Sequence, residues 1–157
     1  MISTRVRAVT LVFAVAISLA ACGSRRDTDG AKTRPLVVRD AWARPADSGA
    51  TGGVYITLAN VDTGAIAITA LSSPAAAAAE LHQTMQMDGM VHMSARPNVL
   101  IEREGTLTMA PGGLHVMLTS LTRALRVGDS VALTVTLIDG RTIPVIATVR
   151  TATERAP

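Results

Sequence analysis

Two histidines and two methionines carry the chemistry that this chain can do: His82, Met93, His115 and Met117. They lie in a stretch, residues 82–117, that holds all three histidines and six of the seven methionines, the seventh being Met1. No cysteine falls inside it. His115-Val116-Met117 reads as part of a strand, where side chains two apart point to the same face. His115 and Met117 can then reach one metal ion while Val116 packs the other way. His82 closes the segment before the Asp88-Gly89 turn and Met93 follows it, so a hairpin-like return brings these two together. Val91 and Met93 share a face if the segment is extended, which points His92 away. Thioethers select copper(I), and imidazoles add affinity. Neither group forms disulfides, so the set suits an oxidising compartment. Zinc gains little from methionine, and calcium or magnesium would need oxygen ligands that are sparse here.

The remaining methionines admit two readings. Met85, Met87 and Met90, with His92, can serve as an auxiliary metal-binding set that exchanges weakly held copper(I). Equally, the three methionines can be gap-filling apolar contacts and His92 a solvent-facing histidine. Met109 reads as core or loop. Trp42 and Tyr55 read as packing inside the sandwich.

The elements that must position these residues are short strands. Val54, Ile56 and Leu58 alternate in VYITLAN, and Ile66, Ile68 and Ala70 are expected inward in the next run. SVALTVTL, 130–137, places Val131, Leu133, Val135 and Leu137 on one face. TIPVIATV follows the Asp139-Gly140 turn, and Pro144 predicts an edge position for it. PAAAAAEL, 74–81, is ambiguous: alanine favours helix, yet strand-like segments frame it, and a strand or loop-to-strand passage is the expectation. Seven to nine strands with turns every 8–12 residues predict an all-β fold, a two-sheet antiparallel sandwich.

The N-terminal segment is read as processing signal rather than fold. Arg5 and Arg7 precede an apolar run, 8–20, that is short for a membrane span. Leu19-Ala20-Ala21-Cys22 resembles a bacterial lipobox, which implies lipidation at Cys22 and a place in the bacterial cell envelope, anchored on the extracytoplasmic side. Residues 1–21 are then a signal peptide, 22–35 the lipidated cysteine and a polar tether, 36–150 the domain and 151–157 a tail. Cys22 is the only cysteine, so thiol redox chemistry and a blue-copper centre, which needs a thiolate, are excluded for the domain. The formal net charge of +3 rests partly on Arg5 and Arg7; the chain from Cys22 onward has 13 basic and 12 acidic side chains. With no basic stripe and two aromatic residues left, nucleic-acid binding is not expected.

The spacing His82, ten residues, Met93, twenty-one residues, His115-x-Met117 resembles the H-x10-M-x21-H-x-M signature of the PCuAC family of periplasmic or surface copper(I) chaperones. The resemblance runs from about Val37 to Val149 and includes DAWARP, GVYITLAN, LHQTMQMDG, PGGLHVML and VGDSVALTVTL. It implies a cupredoxin-like Greek-key β-sandwich, copper(I) held by His82, Met93, His115 and Met117 near one end, and delivery to a copper-accepting subunit of a terminal respiratory oxidase or another copper chaperone. One departure is Gln83, where the family commonly has an acid. No His or Met follows Met117, so one principal site is expected.

Three other functions stand beside delivery, and the sequence does not separate the first of them from it. A copper-sequestering lipoprotein without a delivery partner would use the same ligands. An enzyme would need a nucleophile with a base, or a catalytic carboxylate pair, and neither forms a motif. A structural sandwich would take up no copper.

Overall fold

The computed structural model describes residues 35–152. The predicted signal peptide, Cys22 and nearly all of the tether lie outside the described residues, as does the end of the tail.

Ten strands form the domain: β1 (Leu36–Ala43), β2 (Gly52–Asn60), β3 (Ile66–Ser72), β4 (Ala76–Met87), β5 (Met90–Ala95), β6 (Val99–Ile101), β7 (Thr106–Thr108), β8 (Leu114–Leu121), β9 (Ser130–Leu137) and β10 (Thr142–Val149). This exceeds the expected seven to nine because the short β6 and β7 are both ladder strands. The hydrogen-bonded order is β5-β4-β8-β2-β1-β10-β9-β3-β6, with β7 on β2. A further bridge, Leu71 to Ala79, joins β3 to β4 and closes the sheet on itself. All pairs are antiparallel except β1–β10. The result is the all-β sandwich that the alternation predicts, of the cupredoxin-like kind that the family resemblance implies.

The core is aliphatic. Val54, Ile56 and Leu58 of β2 are buried, and so are Val131, Leu133, Val135 and Leu137 of β9. Met109 joins them as a core residue. Burying one such side chain contributes on the order of 1.5–3 kcal/mol, which lets the domain dispense with disulfides.

Three local expectations fail for physical reasons. Ala70 is exposed, because a register shift between Ile68 and Ala70 turns the strand so that Leu71 packs on the core instead. Pro144 lies in a strand that is interior, between β1 and β9. It is tolerated because β1 pairs with β10 only at Thr148 and Val149, so no β1 ladder bond is required at Pro144. Trp42 and Tyr55 pack together, ring centroids 4.5 Å apart, but outside the barrel. Their strand neighbours Ala43, Val54 and Ile56 are the ones that face the core.

The ambiguous alanine run is strand. β4 pairs with β8 from Ala76 to Gln83 and with β5 from His82 to Met87. The two ladders overlap at His82 and Gln83, the only place where β4 is flanked on both sides by these strands. The β4–β5 turn is Asp88-Gly89, with φ of 52° and 77°. Two consecutive left-handed residues make a type I′ turn, whose twist matches the flanking strands.

Candidate metal centre

His82 of β4 stands directly opposite His115 of β8 and opposite Ala95 of β5. Residues opposed across a ladder share a face, as do residues two apart on one strand. Met117, two on from His115, is therefore on this face. So is Met93, which opposes Thr84, two on from His82. Leu81, Val116 and Leu118 alternate with these positions and are buried in the core. The four residues thus project from the outer surface of three neighbouring strands.

Of these outward side chains His115 is nonetheless shielded. His115 is only 8% exposed, with the rings of His82 and Tyr55 each 6.3 Å away, centroid to centroid. Met93, His115 and Met117 line one open cavity with Arg44, Gly53 and Tyr55. His82 stands beside this cavity rather than in its lining, reached through His115. Gly53 opposes Met117 from β2. A Cβ there would lie 3.1 Å from the Tyr55 hydroxyl, so glycine keeps room for the tyrosine. Arg44 lies over the Tyr55 ring, 5.5 Å from its centroid, at the rim.

Hydrogen bonds decide which ring nitrogens are free. His115 Nδ1 is 3.1 Å from the Gly113 carbonyl oxygen. A neutral imidazole donating there carries its lone pair on Nε2. His82 Nε2 is 3.2 Å from Glu80 Oε2, and His82 Nδ1 is buried with no hydrogen-bond partner. Donation to Glu80 leaves that buried Nδ1 as the acceptor, a position that asks for a ligand. Each histidine has one nitrogen tied by the protein and one left for a metal, the usual arrangement of a ligating histidine. Among the described residues no three His, Cys, Asp or Glu gather closely enough to hold a metal. The donors that share this face are two imidazoles and two thioethers, a set that suits a soft ion.

Sequence reasoning missed Glu80, Gly53 and the role of Tyr55 beside the site. Glu80 was within reach of it: two residues before His82 on a strand, it must share that face. Met85, Met87, Met90 and His92 fall on the opposite face of the β4–β5 hairpin. All four are exposed, which rules out gap filling for the three methionines.

The LpqE-like family, described as "Putative lipoprotein LpqE-like", matches residues 36–149. The curated relative "Putative lipoprotein Lxx21020" of Leifsonia xyli subsp. xyli (strain CTCB07) is 31% identical over 153 residues, covering 94% of this chain and 92% of its own. Among solved structures, the copper(I) form of DR1885 from Deinococcus radiodurans superposes with a TM-score of 0.62 at 34% identity, covering 82% of this chain and 87% of that one. The copper-bound PCuAC domain from PmoF2 superposes with a TM-score of 0.60 at 18% identity, covering 74% and 92%, a likeness of fold alone. The chain belongs to the LpqE-like lipoprotein family, and its fold is that of the PCuAC domains.

Proposed function

We propose that this protein is a lipid-anchored, extracytoplasmic copper(I) chaperone that holds one ion at His82, Met93, His115 and Met117 and passes it on by ligand exchange. The observation that carries the reading is the outer face itself. Two opposed histidines, each with one nitrogen tied and one free, share that face with two methionines. Two neutral imidazoles and two thioethers suit a monovalent soft cation, and Glu80 supplies a nearby negative charge that favours it. The copper(I) state of the 34%-identical DR1885 supports the same cargo.

Exposure favours transfer over permanent storage. Met93 is 53% exposed and sits on β5, whose outer edge pairs with no other strand among the described residues. A partner's donor can approach the ion from that side and displace Met93 first, while His115 remains shielded until last. The partner that fits is a copper-accepting subunit of a terminal oxidase or another copper chaperone, met at the membrane surface. Cys22, followed by a tether, would hold the domain there. The mechanism is binding and exchange, without a catalytic step.

The test is an anaerobic copper(I) titration against a chromogenic chelator, with copper(II) and zinc in parallel. One tightly held copper(I), with weaker copper(II) and little zinc, is expected. Failure to compete for copper(I) contradicts the proposal. Copper(I) passing from the loaded protein to an isolated oxidase copper domain, but not back, would establish delivery; retention would favour sequestration.

A further inference from the structure

The β4–β5 hairpin has a second face that the site above does not use. The rungs alternate: Thr84–Met93 lies on the first face, whereas Gln83–Ser94, Met85–His92 and Met87–Met90 lie on the other. Met85, Met87, Met90 and His92 are therefore neighbours on one surface. Opposed residues stand about 4.5–5.5 Å apart at Cβ, and those two along a strand fall within reach of long side chains. The type I′ turn at Asp88-Gly89 holds this register, because only a residue pair that accepts positive φ can close the loop there.

Nothing in the fold accounts for these side chains. Met85, Met87 and Met90 are 38%, 56% and 60% exposed, and every residue of β5 is exposed, so none of them fills a gap. Methionine also serves adaptable apolar docking surfaces, but there it keeps company with branched aliphatic or aromatic groups. This face carries no such exposed group; Val91, the one branched residue of β5, belongs to the opposite face. What remains is three thioethers and an imidazole, flanked by Gln83 and Ser94. That donor set suits a soft monovalent cation.

We propose that Met85, Met87, Met90 and His92 form a second, weaker and solvent-open copper(I) site on the other face of the hairpin, the face that β4 turns to the core at Leu81. It takes its metal from the reading of the first site but shares none of its ligands. The two sites meet at the edge strand, since His92 and Met93 are consecutive and point to opposite faces of β5. An ion captured on the open face has only the free edge of β5 to cross before it meets Met93. The open site is thus placed to collect copper(I) and load the shielded one.

The experiment is a titration of the full-length protein with silver(I), a redox-inert soft cation, followed by the methyl resonances of labelled methionines assigned through single Met→Leu variants. The first equivalent should shift Met93 and Met117, and further silver should shift Met85, Met87 and Met90. A protein carrying both His115→Ala and Met117→Leu should lose the first response and keep the second. The triple variant Met85→Leu, Met87→Leu, Met90→Leu should keep the first response, and its His92 ring resonances should no longer shift with further silver. If the three hairpin methyls stay still while Met93 and Met117 move, the second site does not exist and the stripe is a surface for some other contact. Movement of the hairpin methyls that vanishes in the His115→Ala, Met117→Leu protein would overturn it as well, as a secondary effect of the first site. Silence at Met93 and Met117 with movement in the hairpin would instead remove the first site and leave the second standing.

Discussion

Two hairpins of this domain use related turns for opposite ends. In β9–β10, the turn around Asp139-Gly140 closes with Leu137 N–H donating to the Arg141 carbonyl and Gly140 N–H to the Leu137 carbonyl. Every second residue beyond it is buried: Val131, Leu133, Val135 and Leu137 on one strand, Ile143, Val145, Ala147 and Val149 on the other. In β4–β5, the Asp88-Gly89 turn closes a ladder of equal regularity, yet beyond Leu81 no residue of either strand is buried. Where the first hairpin places valine and isoleucine, the second places methionine and histidine. A β-ladder fixes spacing and face whatever the side chains are. Stability resides in the hairpin that turns its alternation inward; the other hairpin gives His82 and Met93 to the proposed metal face, which β8 completes with His115 and Met117.

That division of labour can be broken from either side. The largest effect is expected from His115→Ala, which removes the proposed ligand at the shielded centre of the site. Changes to groups that merely support a ligand typically lower metal affinity about 10–100-fold, so loss of the ligand itself should exceed roughly 100-fold in the copper(I) competition. Because His115 faces away from the core, thermal unfolding of the apo-protein should change little. Leu133→Ala should do the reverse. Denaturant unfolding should show a loss of about 2–5 kcal/mol for a buried leucine, with unaltered copper(I) affinity in whatever remains folded. If Leu133→Ala weakened copper binding as much as His115→Ala, the core and the proposed metal face would not be separable.

A middle-sized effect is expected at Glu80. Glu80→Gln keeps a hydrogen-bond acceptor for His82 Nε2 but removes the charge, and copper(I) affinity should fall roughly tenfold. An unchanged dissociation constant would leave Glu80 outside the site's chemistry. The smallest effect belongs to the structural turns. The carboxyls of Asp62, Asp129 and Asp139 are held below the ordinary carboxylate value, chiefly by backbone N–H bonds from Thr63, Arg126 and Arg141 respectively. The first and last are also tied by Arg141, which pairs with both. A depressed folded-state pKa means that the stabilisation is complete above the unfolded value and is lost as pH falls through the folded one. Melting temperature should therefore decline below about pH 4, and Asp129→Asn should make that decline shallower. A steeper decline in the variant would reverse the sign of this account.

Much of this was legible in the residue pattern, and the exceptions have physical causes. β2 and β9 alternate cleanly because one of their faces lies in the core. β4 does not announce itself, since five alanines in a row carry no alternation and favour helix in isolation. Tertiary pairing with β8 along Ala76–Gln83 overrides that preference. Ala70 was misplaced because a bulge leaves no mark in an alternating sequence. The shared face of His115 and Met117 could be read from their spacing, but not that this face is the outer one. Val116 and Leu118 are as apolar as a partly lined metal site, so the pattern alone does not say which side meets the core. The His82–Met93 return was readable because Asp-Gly fixes a two-residue turn. The tie between Glu80 and His82 was equally implied by their spacing and becomes visible only with the side chains in place.

The measurement that goes most directly to the central claim is the copper X-ray absorption spectrum of the protein loaded anaerobically with one equivalent of copper(I). If the outer face of β4, β5 and β8 holds the ion as described, the first shell must contain nitrogen and sulfur together, and in a protein already carrying Met85→Leu, Met87→Leu and Met90→Leu the further changes Met93→Leu and Met117→Leu must remove the sulfur while leaving the nitrogen. A first shell of nitrogen or oxygen alone, or a sulfur contribution that survives loss of all five methionines, would contradict the account.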